Sequence, residues 1–265
     1  MSANDLFDLT GKVGLVTGAN SGLGFGFASG IAKCGGDVVV WGRRADRNAE
    51  AAERLLAMGA RRVHCQSVDV SREDEVIEGM AAAVAEMGRV DGVVANAGFA
   101  TVQPFHEMTT SAYEALLATS QHGGFFTLRE GVKHMKSRAE AGDPGGSLIV
   151  CGSLTNMTGY SGMAHYAAAK NALAGMMRCI AVEYGRDGIR ANMVCAGLFY
   201  TGMMGGAPLE LLPQTAILEA QNPIPRWGYP ADVEGITAYL MSDCSSYHTG
   251  DMIVIDGGQS KTLIA

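Results

Sequence analysis

Tyr166 and Lys170 are the residues whose types and spacing most directly suggest chemistry. Three alanines separate them in a segment with helical spacing, so both side chains lie on one helix face, one turn apart. A tyrosine hydroxyl, with a reference pKa of about 10, is a poor acid or base at neutral pH. An ammonium group about 4 Å away stabilises the phenolate by several kcal/mol at intermediate dielectric. Tyr166 is therefore predicted to exchange a proton with a substrate oxygen, and Ser153 to donate a hydrogen bond to the same atom.

A glycine-rich turn directly follows a short apolar run, Val13–Thr17, that is typical of a strand. The turn reads Thr17-Gly18-Ala19-Asn20-Ser21-Gly22-Leu23-Gly24, with G-x-x-x-G-x-G spacing. Glycine at 18 and 22 allows backbone N–H groups to reach a pyrophosphate at the positive end of the helix that begins near Gly22, and Gly24 allows the helix to pack closely on the strand. Glycine-rich turns are common, but one between the first strand and first helix of a β-α-β pattern predicts a dinucleotide site.

The end of the second predicted strand, Val40-Trp41-Gly42-Arg43-Arg44, carries two arginines. An acidic residue there would bind the adenosine ribose of NAD, and the sequence has none at this point. Arginine can bind the additional phosphate of NADP through two parallel hydrogen bonds, whereas a carboxylate would repel it. The pattern predicts NADP(H), with a solvated arginine pair at a helix start as the alternative. Asp69 and Val70, after the third strand, are expected to border the adenine.

Short β-branched runs alternate with longer helical patterns along the chain. Several runs are apolar on both faces, as strands covered by helices on both sides must be. Strict alternation predicts parallel strands, right-handed crossovers and a doubly wound, Rossmann-like α/β sheet of about seven strands. The predicted strands are Val13–Thr17, Val38–Trp41, Val63–Ser67, Val90–Ala95, Ser147–Cys151, Arg190–Val194 and Met252–Ile255. The predicted helices are Leu23–Cys34, Arg44–Met58, Arg72–Met87, Ser111–Ala118, Gly123–Ser137, Met163–Tyr184 and Ala231–Ser242.

A single domain over residues 1–265 is predicted, because no linker divides the chain. The longest loop-like stretches are Glu140–Gly146 and Phe199–Gly228. The second is too long for a plain connection and includes a short helical pattern near Leu209–Ala220. We expect the segment of about residues 198–228 to form a small helical lid or substrate-binding insertion.

Composition and charge argue against several other classes of protein. The net charge is −7, with acids and bases interspersed, so neither nucleic acid nor an anionic membrane is favoured as a partner. No apolar run reaches the roughly 18 residues that a membrane span needs. The six cysteines form no C-x-x-C pair, and the N-terminus lacks a signal pattern, which favours reduced thiols in a cytoplasmic protein.

The remaining histidines and cysteines are interpreted as structural. The histidines lack ligand spacing, so no metal is expected, and His165 is expected to be a surface histidine or one with its hydrogen bonds satisfied. Cys151 and Cys195 lie near the predicted active site in sequence, yet each is expected to be a small buried hydrophobic residue.

Taken together, the motifs resemble the short-chain dehydrogenase/reductase family, over nearly the whole chain and with a 3-oxoacyl reductase-like pattern. The family's serine, tyrosine and lysine match Ser153, Tyr166 and Lys170. Its glycine and Asn-Ala-Gly motifs match Thr17, Gly18, Gly22, Gly24, Asn96, Ala97 and Gly98. Arg190-Ala191-Asn192 and Asp256-Gly257-Gly258 also look like family signatures.

This resemblance implies an NADP(H)-linked oxidoreductase that moves a hydride between nicotinamide and a carbonyl or secondary alcohol, in a homotetramer. It makes Tyr166 the acid/base, lets Ser153 orient the carbonyl, and gives Lys170 the tasks of tuning the tyrosine and holding the nicotinamide ribose. The nicotinamide carboxamide is expected to contact Thr201 and the Leu198 backbone. The other expected coenzyme contacts are Gly18, Asn20, Ser21, Gly22, Leu23, Gly24, Asn96, Ala97, Gly98 and Gly197.

Two positions depart from the family pattern. Ala196-Gly197 stands where Pro-Gly is usual, which is expected to loosen the turn that presents Thr201. Ser120 stands where the family has a catalytic asparagine that holds a water between the lysine and solvent. Ser120 could hold that water itself, Gln121 or His122 could replace it, or turnover could be slow. The alternative is that Ser120 only marks a helix break.

Apolar residues cluster where a substrate is expected, which favours an apolar or mixed ketone, although the same residues could simply pack the lid onto the core. They are Leu154, Met157, Tyr160 and Met163 beside the catalytic residues, and Phe199, Met203, Met204, Leu209, Leu212, Ile217 and Leu218 in the insertion. The alternatives are a sugar or polyol dehydrogenase of the same fold and a catalytically weak dinucleotide-binding sensor.

Overall fold

The computed structural model describes residues 6–202 and 208–261, in which strands and helices alternate. The strands are β1 (Val13–Thr17), β2 (Asp37–Gly42), β3 (Val63–Ser67), β4 (Gly92–Ala95), β5 (Gly146–Ser153), β6 (Ile189–Ala196) and β7 (Met252–Ile255). The helices are α1 (Gly22–Lys33), α2 (Ala45–Met58), α3 (Glu73–Met87), α4 (Thr110–Leu117), α5 (Gly123–Glu140), α6 (Ala164–Tyr184), α7 (Pro213–Gln221) and α8 (Glu234–Met241). Every predicted strand is confirmed, and its ends differ by at most two residues.

The strands form one parallel sheet in the order β3-β2-β1-β4-β5-β6-β7, which confirms the doubly wound prediction. Strand order reverses between β1 and β4, where Leu15 lies opposite Val93. In sheets of this kind ligands bind in the crevice beyond the carboxyl ends of the strands at such a reversal. The fold therefore brings the glycine-rich turn after β1 and the Asn-Ala-Gly turn after β4 to the same crevice.

The central strands are buried on both faces. No residue of β1 or β2 is exposed, and neighbouring residues contribute to two separate apolar clusters. Leu15 belongs to the cluster beneath α3, α5 and α6, whereas Val16 belongs to the one beneath α1, α2 and α8. Burying a side chain of this size contributes about 1.5–3 kcal/mol. The functional turns consequently extend from a rigid, close-packed sheet.

Residues 110–140 form one continuous helical segment, which corrects the predicted break at 119–122. Helix α4 passes into α5 through a π-helical turn, Ala118–His122, with right-handed helical backbone throughout. Gly123 and Gly124 look like helix breakers in the sequence, but they allow close packing. A Cβ at Gly123 would lie 2.6 Å from Val70 Cγ2, and one at Gly124 would lie 2.8 Å from Leu173 Cδ2. Such π turns are often found at functional sites, and Ser120 lies in this one.

The insertion after β6 is anchored at its base. The predicted short helix is confirmed as a 3₁₀ turn, Leu209–Leu211, followed by α7, whereas Met203 and Met204 lie outside the described residues. Gly228 N–H donates to the Leu198 carbonyl at 3.0 Å, so the two ends of the insertion lie side by side. Within residues 6–202 and 208–261, no helix is long and apolar enough to cross a membrane.

Candidate active site

Thr17 joins the glycine-rich turn to the Asn-Ala-Gly turn. Its Oγ1 accepts hydrogen bonds from the backbone N–H groups of Asn96 and Ala97, both at 2.9 Å. Its carbonyl oxygen accepts from Asn96 Nδ2 at 2.9 Å. A Cβ at Gly24 would collide with the Gly18 carbonyl and lie 2.6 Å from Asn96 Nδ2, so only glycine fits there. The two predicted motifs therefore form one unit, in which the Asn96 amide clamps the glycine-rich turn.

The N-terminus of α1 faces the crevice. Gly18 and Gly22 have φ angles of 68° and 54°, in the left-handed region that favours glycine. The Ser21 side chain makes no capping hydrogen bond, which leaves the first N–H groups of the helix for an anion. A Cβ at Gly22 would lie 3.3 Å from Thr201 Cβ. Thr201, predicted to contact the nicotinamide, thus lies directly over the glycine-rich turn.

The end of β2 has no space for a ribose-binding carboxylate. A side chain at position 42 would collide with the Asn20 amide, and Asn20 Nδ2 itself donates to Asn48 Oδ1 at 2.7 Å. Asn48 is buried and also donates to the Gly42 and Gln66 carbonyls, at 2.8 and 3.0 Å. Sequence reasoning missed Asn48, because an asparagine one turn into a helix gives no sign of partners on two strands.

Arg43 and Arg44 are both exposed beside this network. The Arg43 side chain is 76% exposed, and its Nη1 lies 4.0 Å from Asp69 Oδ2. Burial acts to raise the pKa of Asp69, but hydrogen bonds from Ser71 and the charge of Arg43 outweigh it and lower that pKa. The Val70 side chain is buried against Gly123. Two exposed guanidinium groups therefore lie at the end of β2.

Lys170 is buried one helical turn from Tyr166. Its Nζ donates to the Cys151 carbonyl at 2.7 Å and lies 5.5 Å from the centre of the Tyr166 ring. Only 3% of Lys170 is exposed, whereas Tyr166 is partly exposed to the crevice. The predicted side-by-side arrangement of the two residues on α6 is confirmed. The buried ammonium and the tyrosine ring thus lie beside the same part of the crevice.

Ser153 ends β5, and Asn156 connects it to the lysine. Ser153 N–H donates to Asn156 Oδ1 at 2.9 Å, and Asn156 Nδ2 donates to the Lys170 carbonyl at 2.8 Å. Ser153 Oγ accepts from Thr155 N–H at 3.2 Å and caps the 3₁₀ turn Leu154–Asn156. Asn156 thus fixes the distance between the serine strand and the lysine helix. Sequence reasoning missed this residue, although a serine followed three positions later by a polar amide resembles a capping box.

Ser120 is buried against the turn that follows β4. Its Oγ lies 3.4 Å from both the N and the O of Phe99, and a Cβ at Gly98 would lie 3.1 Å from that Oγ. The π-helical turn that carries Ser120 packs against α6, the helix of Tyr166 and Lys170. The structure thus brings Ser120 into the same crevice as the predicted catalytic residues. The proton-relay role of its hydroxyl stays a prediction.

His165 differs from expectation. It is completely buried, its Nε2 lies 2.7 Å from Thr101 Oγ1, and its Nδ1 has no hydrogen-bond partner among the described residues. The prediction of a surface histidine, or one with both nitrogens satisfied, was therefore wrong. The helical spacing could not reveal this, because Thr101 belongs to the distant loop after β4.

Four segments converge around the crevice. Gln103 N–H donates to the Gly162 carbonyl at 2.9 Å, which joins the loop after β4 to the loop before α6. Gln259 Nε2 donates to Tyr160 Oη at 3.4 Å, which brings the segment after β7 to the same loop. A Cβ at Gly197 would lie 3.3 Å from Gln259 Oε1, so the turn after β6 also meets this segment.

Cys151 and Cys195 are buried, as predicted. Burial raises the pKa of the Cys151 thiol, and it raises the pKa of Cys195 to about 11. Both thiols are neutral at physiological pH and act as packing groups. Among the described residues, no group of three or more His, Cys, Asp or Glu side chains could hold a metal ion.

The fold and the site define a doubly wound α/β oxidoreductase with a dinucleotide crevice and a Ser-Tyr-Lys set. Residues 18–260 match the family model described as "Enoyl-(Acyl carrier protein) reductase". The chain belongs to the short-chain dehydrogenase/reductase family. It is an enzyme that acts on CH–OH or C=O groups of small molecules with a nicotinamide coenzyme.

Similar proteins extend over the whole chain. A gluconate 5-dehydrogenase of Gluconobacter oxydans is 31% identical over 99% of this chain and 100% of its own. A cis-4-hydroxycyclohexanecarboxylate dehydrogenase of Sinomonas cyclohexanicum is 33% identical over 93% of this chain and 96% of its own. The crystal structure of a gluconate 5-dehydrogenase from Burkholderia cenocepacia, in complex with NADP and tartrate, superposes with a TM-score of 0.89 at 27% identity, covering 98% of this chain and 100% of the other.

Proposed function

We propose that this chain interconverts a ketone and a secondary alcohol with NADP(H), using Tyr166 as the acid/base. The observation that carries the proposal is the convergence of Tyr166, Lys170 and Ser153 on the crevice where the dinucleotide turn ends. Lys170 is a buried ammonium one helical turn from a partly exposed tyrosine, and this arrangement in a dinucleotide crevice has no other obvious chemical role.

NADP(H) is proposed as the coenzyme because the chain's own residues fit it. Arg43 and Arg44 supply bidentate donors for the 2′-phosphate, and the Asn20 amide takes the space that a ribose-binding carboxylate would need. The NADP complex of the Burkholderia relative supports this choice. Gly18–Gly24 would hold the pyrophosphate, while Leu198 and Thr201 would hold the nicotinamide carboxamide. When bound, the coenzyme supplies or accepts the hydride.

The protein residues orient the substrate and move the proton. In the reduction, the Ser153 hydroxyl donates a hydrogen bond to the carbonyl oxygen and Tyr166 transfers its phenolic proton to that oxygen. The Lys170 ammonium stabilises the resulting phenolate and contacts the nicotinamide ribose. Oxidation of the alcohol follows the same path in reverse. Ser120 is proposed to hold the water through which Tyr166 and Lys170 exchange the proton with solvent.

The proposal extends to the organisation of the chain. We infer that residues 1–265 act as one domain, in which the insertion at about 198–228 covers the substrate. A homotetramer is proposed from the family resemblance alone.

A sugar-acid or polyol dehydrogenase is the second candidate function. The names of two relatives favour it, since both are gluconate 5-dehydrogenases. The apolar residues of the loop before α6 favour an apolar or mixed ketone instead.

A nicotinamide absorbance assay over a panel of ketones, keto-sugars and alcohols, with NADPH and NADH in parallel, tests the proposal. We expect NADPH-dependent reduction of at least one ketone. Tight binding of NADPH without oxidation by any member of the panel would contradict the proposal and favour a dinucleotide sensor.

A further inference from the structure

Apolar side chains around the crevice remain exposed. Phe99 and Val102, in the loop after β4, are 37% and 76% exposed. Met157 and Tyr160, in the loop before α6, are 41% and 42% exposed. Exposed apolar groups that concentrate on the loops around a crevice are typical of a site for a small molecule with an apolar body.

Direct contacts join Val102 to the loop that carries Met157 and Tyr160, and the two loops form one wall of the crevice. A Cβ at Gly162 would lie 2.7 Å from Val102 Cγ1, so Val102 packs against the loop that leads into Tyr166. The hydrogen bond from Gln103 to the Gly162 carbonyl, at 2.9 Å, holds the two loops together beside it. Thr101 and the Tyr160–Gln259 pair, which make hydrogen bonds on this side of the crevice, are uncharged.

Three of the segments that border the crevice contain no lysine or arginine. Residues 96–109, 154–165 and 197–225 include no lysine or arginine in the sequence. Lys170 is buried, with its ammonium on the Cys151 carbonyl, and His165 is completely buried. Arg226, the next cation along the insertion, is paired with Asp232 at 2.7 and 2.9 Å. None of these groups is placed to receive a substrate carboxylate.

The segment after β7 adds negative charge near the crevice. A Cβ at Gly197 would lie 2.7 Å from Asp256 Cβ. Burial acts to raise the pKa of Asp256, but hydrogen bonds from Ser260 and Gly258 and the charge of Lys261 outweigh it and lower that pKa. Asp256 therefore stays ionised.

We propose that the substrate of this enzyme is an uncharged ketone or alcohol with an apolar body, and that carboxylates are excluded. The inference rests on the proposed function and separates this chain from its relatives named for gluconate and for a cyclohexanecarboxylate. A carboxylate that left water for this crevice would lose hydration and meet no ammonium or guanidinium partner. An ester, hydroxyl or methyl group at the same position would carry no such penalty.

The direct test compares matched esters and acids, for example methyl 4-oxocyclohexanecarboxylate and 4-oxocyclohexanecarboxylate, with NADPH and purified parent protein. We expect kcat/KM for the ester to exceed that for the acid by about tenfold or more. Equal or better reduction of the acid would overturn the uncharged-substrate proposal and leave the proposed function intact. If neither compound, nor any other ketone of the panel, is reduced by protein that binds NADPH, the proposed function fails, and this inference fails with it.

Two variants at Val102 separate charge from size. Val102→Arg introduces a cation on the exposed wall, and Val102→Gln introduces a long polar side chain without charge. We expect the ratio of kcat/KM for the acid to kcat/KM for the ester to be about tenfold higher in Val102→Arg than in Val102→Gln. An ester-to-acid ratio that is the same in the arginine and glutamine variants would overturn the proposal, because charge at this wall would then not govern selection.

Discussion

Ser120 is the single residue at which the family pattern and this chain differ most. Its hydroxyl contacts the Phe99 backbone, and the π-helical turn that carries it packs against the helix of Tyr166 and Lys170. A serine hydroxyl both donates and accepts, as an asparagine amide does, but reaches about one bond less far. A water could complete the path between the lysine and solvent.

Replacing Ser120 by alanine is expected to lower kcat more than it raises KM, since proton delivery matters in the transition state and little in substrate binding. Ser120→Asn is expected to retain or raise kcat. Turnover of the three proteins measured from acid to alkaline pH, with melting temperatures in parallel, checks this. A stable alanine variant with the pH–rate profile of the parent would exclude Ser120 from the relay. The relay would then use Gln121, His122 or a water path that needs no side chain here.

Arg43 is expected to set the coenzyme preference. It is exposed beside the adenosine end of the crevice, 4.0 Å from Asp69, and is available for a 2′-phosphate. Parent protein should have a higher kcat/KM with NADPH than with NADH, and Arg43→Asp should reverse this order, because a carboxylate repels the phosphate and binds a free ribose. Arg61→Asp, at an exposed position between α2 and β3, serves as the charge-matched control. Equal kcat/KM values for the two coenzymes in the parent would contradict the assignment.

Gly123 and Gly124, at the start of α5, lie in a continuous helix although the sequence pattern predicts a break before them. Adding a methyl group at Gly123 would press on the Val70 backbone oxygen and Cβ, each 3.0 Å away. Overpacking of this kind costs about 1–3 kcal/mol, while alanine in a helix regains up to about 1 kcal/mol. Gly123→Ala is therefore expected to lower the free energy of unfolding by about 1–2 kcal/mol.

Urea unfolding of Gly123→Ala checks this expectation, with Gly235→Ala as the control. Gly235 is exposed on α8 with nothing within 4 Å of its added Cβ, so alanine there should be neutral or slightly stabilising. Equal stability of the Gly123 variant and the parent would mean that Gly123 is not required for packing.

The strands were predictable because each is a short apolar run covered on both faces. The positions of Ser153, Tyr166 and Lys170 were predictable because they lie at one strand end and on one helix. Asn48 and His165 were not, because their partners lie on other segments of the chain, and the contact of Asn156 with Lys170 forms only in the folded chain. Asn156, for example, acquires its role only when the Lys170 carbonyl and the Ser153 N–H lie on either side of it. The continuous helix across Ser120 was missed because two adjacent glycines are as typical of a helix break as of close packing within a helix.

At the scale of the whole molecule, a histidine beside the N-terminal ends of the strands makes the stability of the fold depend on pH. His134, on α5, accepts a hydrogen bond at Nε2 from Val90 N–H at 3.1 Å. Burial lowers the pKa of His134, and the charges of Arg138 and Arg89 add to this, against Asp91 and Asp143. The native state therefore binds fewer protons than the unfolded chain just below the ordinary histidine pKa of about 6.5.

Stability is consequently expected to fall as the pH decreases below about 6.5, by at most about 1.4 kcal/mol per pH unit from this histidine. His134→Gln keeps an acceptor for Val90 and removes the titration, so its unfolding free energy should depend less on pH between about 7 and 5. His106→Gln, at an exposed position, controls for the loss of a histidine. Parallel curves for parent and His134→Gln across that range would show that His134 does not contribute.

At the scale of the whole molecule, we propose that sheet, crevice and helix together place the Tyr166 hydroxyl where a substrate oxygen and a hydride meet. The most direct measurement is single-turnover reduction of a ketone by the NADPH-bound Tyr166→Phe variant, alongside its NADPH affinity. The variant keeps the ring that packs beside Lys170 and loses only the hydroxyl. We predict that the reduction rate falls about a hundredfold or more, while the Kd for NADPH stays within a few fold of the parent value. A variant that binds NADPH normally and retains most of its rate would contradict the account, because the proton would then come from another group.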